Sequence, residues 1–141
     1  MRLMNWIAIF IAAIIISCCF FTWVEVPGRN IFIGGFRSNT NAFGSPGILH
    51  SFFCGACIIL FTINRIWSVR TAFFMSVINI AWAFRNFLLI SACTGGDCPI
   101  KQPAIYVLLA SSIGLMVAIL FIRPGAKDVM AQKIQNTQRE K

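Results

Sequence analysis

Four long apolar runs constrain this chain more than any other feature. They cover residues 4–23, 47–63, 72–92 and 104–122 of the 141-residue sequence. A helix rises about 1.5 Å per residue, so each run reaches across most or all of roughly 30 Å of hydrocarbon. The runs are apolar all round rather than along one stripe, as helices solvated by lipid are. Strands are disfavoured in the runs, because a membrane barrel needs at least eight alternating segments of about ten residues. Pro46 and Pro103 stand at two of the helix starts, and Arg123-Pro124-Gly125 follows the last run. These are ordinary helix punctuation. The expectation is an all-α fold: a four-transmembrane-helix bundle over residues 1–124, then a basic tail at 125–141.

Composition points the same way. Hydrophobic residues make up 58% of the chain and charged residues 11%, against about 25% charged in an average soluble domain. A soluble globule of this size could not bury so much apolar surface. The net charge of +8 would suit a nucleic-acid binder if it were clustered. Instead the basic residues sit at the ends of the apolar runs, so the expected partner is the lipid bilayer and not nucleic acid. Arg2, Arg65, Arg70, Arg123, Lys127, Lys133, Arg139 and Lys141 fall on one side; Arg29, Arg37 and Lys101 fall on the other. The excess of Lys and Arg predicts that both termini are cytoplasmic. The loops at residues 24–46 and 93–103 then face outward, and runs two and three form a hairpin with a tight inside turn. A loose match of Ile15-Ile16-Ser17-Cys18 to a lipoprotein cleavage site is set aside in favour of an intact first helix.

The first outer loop is long for a structureless connection, and such loops are often functional. Asn30-Ile31-Phe32-Ile33 has the composition of a short strand, and Gly34-Gly35 and Ser38-Asn39-Thr40-Asn41 are turn material. The loop is expected to cap the bundle or to offer a surface to a partner.

The six cysteines are Cys18, Cys19, Cys54, Cys57, Cys93 and Cys98. All fall in the outer half of the membrane or in the second outer loop. Cys93 and Cys98 flank a Gly-Gly turn whose reach suits a local disulfide. Cys54-Gly55-Ala56-Cys57 has the spacing of a reactive dithiol. With Cys93 and Cys98 it could carry electrons from an outer disulfide to a membrane quinone. In outline this resembles the four-span thiol oxidases that re-oxidise periplasmic disulfide carriers, and the vitamin K epoxide reductases. The oxidases keep their C-x-x-C in an outer loop and the epoxide reductases on the last helix, whereas here it lies in the second run. Small residues offer a packing account instead: Ala8 and Ala12, Ser51 with Gly55 and Ala56, and Ala110, Gly114 and Ala118 let helices approach closely in lipid.

Arg85 lies within the third run, where an unpaired guanidinium is costly. Asn79, Trp82, Arg85 and Asn86 share about a third of the helix circumference. His50 and Glu25 are the candidate partners at that depth. Together Arg85, Asn86, His50, Asn79 and Trp82 suggest an outward-facing pocket for an anionic or lipid-like ligand. Nothing is hydrolytic: one histidine, four scattered acids, and neither G-x-S-x-G nor H-E-x-x-H. No metal site is expected from His50, Cys54 and Cys57 alone.

Phe43-Gly44-Ser45-Pro46-Gly47, Arg85-Asn86-Phe87 and Ala92-Cys93-Thr94-Gly95-Gly96-Asp97-Cys98-Pro99 resemble the motifs of a group of small four-span bacterial membrane proteins. The resemblance runs from the first span to the fourth. It implies a bundle in the bacterial inner membrane and says nothing of chemistry. Claudin-like proteins share four spans and a long first outer loop, but their paired loop cysteines are missing. Three functions follow from the sequence. The foremost is a non-catalytic accessory or scaffold subunit, without cofactor, packed against another membrane protein or a second copy of itself. The others are a quinone-linked thiol–disulfide oxidoreductase using Cys54, Cys57, Cys93 and Cys98, and a ligand carrier at Arg85.

Overall fold

A computed structural model of the chain describes residues 2–27, 30–38, 44–63, 65–93, 98–122, 130, 134 and 136–138. The fold is mostly helical. Four long helices run over Arg2–Cys18 (α1), Pro46–Ile63 (α2), Ile66–Ser91 (α3) and Pro103–Leu120 (α4). Each packs on its neighbour in sequence, and α4 closes the ring against α1. α2, α3 and α4 are long and apolar enough to cross a membrane; α1 is apolar too, at 17 residues.

The all-α expectation needs a correction at the outer end. Three strands, Thr22–Val26 (β1), Ile31–Gly34 (β2) and Ile100–Lys101 (β3), form a sheet ordered β2-β1-β3. Only the segment around β2 is legible as a strand in the sequence. The first apolar run does not stay helical to residue 23. It leaves the helix at Cys18, turns, and enters β1. Thr22-Trp23-Val24-Glu25-Val26 is rich in β-branched and aromatic side chains, which suit a pleated surface better than a helix. β1 pairs with β2 antiparallel, and Asn30 between them has a positive φ of 50°, a conformation Asn tolerates. The third run also begins earlier than residue 72. Ser68 Oγ accepts from the Arg65 amide and donates to the Arg65 carbonyl. That clasp starts α3 at Ile66 and makes it 26 residues long.

The core has two apolar parts. One gathers Ala8, Ala12, Ile15, Cys54, Cys57, Phe61, Ala72, Leu115 and Ala118. The other, at the outer end, gathers Cys19, Trp23, Val24, Ile33, Ala83, Ile90, Ile105 and Leu108. The sheet is therefore part of the fold's core: Val24 and Ile33, paired in register, point into the bundle.

The expected disulfide is present between Cys93 and Cys98, with Cα atoms 4.4 Å apart. Of the expected basic tail, only 130, 134 and 136–138 are described, and they are helical. Phe43 and residues 94–97, which belong to the motifs behind the family resemblance, lie outside the described residues.

Candidate functional site

A polar layer separates the two apolar cores. On α3, Asn79 lies between Ala72 of one core and Ala83 of the other; on α4, Ser112 lies between Leu115 and Leu108. His50 stands one turn before Cys54 on α2. All three polar side chains are buried, with His50 at 0% exposure. His50 Nδ1 is 2.7 Å from Asn79 Oδ1, and Asn79 Nδ2 donates to Ser112 Oγ at 3.4 Å. Ser112 Oγ in turn donates to the Leu108 carbonyl at 2.8 Å.

This chain of bonds fixes the tautomer of the neutral ring. Asn79 presents its carbonyl oxygen to His50 because its amide nitrogen faces Ser112. His50 must then donate from Nδ1, which leaves Nε2 as an acceptor. Nε2 is buried and has no partner among the described residues. Ser51 Oγ and Asn86 Nδ2 share that condition. Trp23 stands edge-on to the imidazole at 6.0 Å, and its own Nε1 donates to the Cys18 carbonyl. The layer thus links α2, α3 and α4 and reaches the sheet through β1.

The five residues expected to line one pocket are divided by the structure. His50 and Asn79 are bonded to each other in the interior, and Asn86 is buried further out on the same face of α3. Arg85 is exposed on the outside of the bundle. Its guanidinium lies over the Trp82 ring, 4.9 Å from the centroid, and Trp82 Nε1 donates to the Pro46 carbonyl. Neither His50 nor Glu25 is bonded to Arg85 among the described residues. The Trp82–Pro46 bond places Trp82 level with the first residue of α2, and Arg85 follows it outward, at the outer rim of that helix.

The four free cysteines are all buried. Cys19 Sγ donates to the Ile15 carbonyl at 3.3 Å and Cys57 Sγ to the Ala72 carbonyl at 3.7 Å. In these positions they act as small core residues with a weak donor. Cys93 and Cys98, in contrast, are exposed. Among the described residues, no three of His, Cys, Asp and Glu come together as a metal site.

Sequence reasoning missed Ser112 and Trp23 as members of the polar layer. It also missed the small and polar face of α3: Ser68, Ala72, Ser76, Asn79, Ala83 and Asn86 are all buried. Their spacing of three and four residues was the available signal, and it marks the seam of the bundle. The stripes that were noted divide. Ala8 and Ala12 are fully buried, whereas Ala110 is exposed and Gly114 has open space where a Cβ would stand.

No protein-family model, curated protein or solved structure matches this chain.

Proposed function

We propose that this chain is a non-catalytic accessory or scaffold subunit of a bacterial inner membrane. Four spans with both termini inside are part of the proposal. Three membrane-length helices, the apolar α1 and the one-sided distribution of Lys and Arg support it. The polar groups of the interior are used to join helices, and the thiols are packed in the core. Neither arrangement exposes a reactive group to a substrate.

One observation carries the partner. In the sheet, Glu25 of β1 is paired directly with Phe32 of β2 and with Ile100 of β3. Paired residues share a face, and this face points away from the bundle. Phe32 and Ile100 are exposed large apolar side chains, and Glu25 between them is half-buried. Glu25 makes no ion pair among the described residues. An apolar–acid–apolar row fits an extracytoplasmic segment of a partner that offers a basic side chain between apolar ones.

A photo-crosslinker at Phe32 or Ile100, in intact cells, tests this. The expected product joins the chain to a different membrane protein, and Glu25→Lys cuts its yield at least tenfold. Cys54→Ser and Cys57→Ser are expected to leave the yield unchanged. A product that survives Glu25→Lys contradicts this docking face, and one that contains only a second copy of this chain contradicts a separate partner.

The other two functions draw less from the geometry. A dithiol relay needs a thiolate that reaches a disulfide sulfur. Here the candidate dithiol lies in the core, while the disulfide is on the exposed rim. A single ligand pocket needs Arg85 beside His50, and the two occupy different sides of α3.

A further inference from the structure

We infer that the outer end of α3 carries a phospholipid-phosphate site built on Arg85 and Trp82. This rests on α3 crossing the bilayer but not on the proposed partner, so lipid binding and crosslinking can fail separately. Arg85 lies about 28 Å along α3 from Ile66, close to the thickness of the hydrocarbon layer. That is phosphate depth for a long side chain reaching outward.

Three observations define the ligand. First, Arg85 is exposed and its guanidinium, among the described residues, bonds to no acid or carbonyl. Its fork of N–H donors is therefore open to a ligand, and that fork matches two oxygens of a phosphodiester. Second, it is held in place. It lies over the indole of Trp82, 4.9 Å from the ring centroid, and the Pro46 carbonyl fixes that ring in turn. A cation held this way loses less freedom on binding than a free one. Third, its neighbours on the outer surface of α3 are Ile78, Leu88 and Leu89, all exposed. A hydrated free anion gains nothing from such surroundings, whereas a phosphate carrying acyl chains covers them. Elsewhere on the same end, Lys101 lies 5.5 Å from the Phe87 ring centroid, and Phe87 packs edge-on against Tyr106. Aromatic and basic residues together mark this end as the membrane interface.

The test is native mass spectrometry of the full chain released from micelles containing one added probe. The probes are phosphatidylglycerol, the diacylglycerol with the same chains, and inorganic phosphate. The wild-type chain is expected to retain phosphatidylglycerol and to release the diacylglycerol. Millimolar inorganic phosphate should not displace the lipid. Arg85→Gln should lower lipid occupancy about tenfold. Arg85→Lys should fall between, since it keeps the charge but loses the fork. Arg85 is exposed, so both variants should keep the wild-type unfolding midpoint. Equal retention by Arg85→Gln, or equal retention of the diacylglycerol, overturns the site. Displacement by inorganic phosphate overturns the lipid and leaves a soluble-anion site.

Discussion

Gly35→Ala is expected to destabilise the fold by about 2–3 kcal/mol, the cost of overpacking a tight site. Three stretches of backbone meet at this glycine: the turn after α1, the segment leaving β2, and the start of α2. The Phe36 amide donates to the Cys19 carbonyl at 3.2 Å, and the Gly47 amide donates to the Gly35 carbonyl at 2.8 Å. A Cβ on Gly35 would stand 2.7 Å from Cys19 Cα and 2.8 Å from Cys19 Cβ. Backbone held by hydrogen bonds on both sides cannot give way as a flexible side chain would. Gly47→Ala meets the same junction from the other side, where its Cβ would lie 2.9 Å from Gly35 Cα. Gly55 and Gly114 are the controls. They lie within α2 and α4, and a Cβ there meets nothing. Alanine at those two positions is expected to be neutral or to stabilise by up to about 1 kcal/mol. Unfolding midpoints of the four variants in the same micelles decide the matter. If Gly35→Ala is as harmless as Gly55→Ala, the sheet is not locked onto the bundle at this junction.

The second large effect belongs to Asn79→Leu, with an expected cost of about 2 kcal/mol. Leucine has as many side-chain heavy atoms as asparagine and is bulkier, so none of this comes from a cavity. The substitution removes the acceptor for His50 Nδ1, and His50 Nε2 is already unpartnered. A fully buried imidazole would then have neither nitrogen bonded. The double variant His50→Leu with Asn79→Leu is expected to recover part of the loss, because replacing both partners removes the stranded polar group. Hydrogen bonds between membrane helices are worth about 0.6 kcal/mol on average. A coupling energy above that value in the double-mutant cycle supports a layer that ties three helices together. Strictly additive losses would mean that His50 and Asn79 do not depend on each other.

The helical part of the fold was legible because its signal is strong. Long apolar runs bounded by proline leave a chain few alternatives. The cysteine loop was equally legible, because five positions of separation with a Gly-Gly turn bring Cys93 and Cys98 within reach. The sheet was hidden for a physical reason. β1 continues an apolar run without a break, and Trp23 and Val24 are as suitable for a span as for a buried strand. Its pairing with β3 joins residues far apart in sequence, which local patterns do not report. The polar layer was legible in half. Asn79 and His50 stand out in apolar runs, but helical periodicity on α3 alone grouped Asn79 with Arg85. The orientation of α3 against α2 separates them, and that depends on the packing of whole helices. Ser112 carried no signal of its own, since serine is common in membrane helices and only its neighbours make it part of the polar layer.

Under the proposed function the interior thiols are structural and the chain acts by docking. Thiol trapping in intact membranes tests it most directly, with alkylation before and after reduction and each cysteine read by mass spectrometry. The prediction is a fully paired Cys93–Cys98, with Cys18, Cys19, Cys54 and Cys57 all reduced whatever the redox state of the quinone pool. A mixed population at Cys54 and Cys57 that shifts with the quinone pool would contradict the claim and make the chain a redox enzyme.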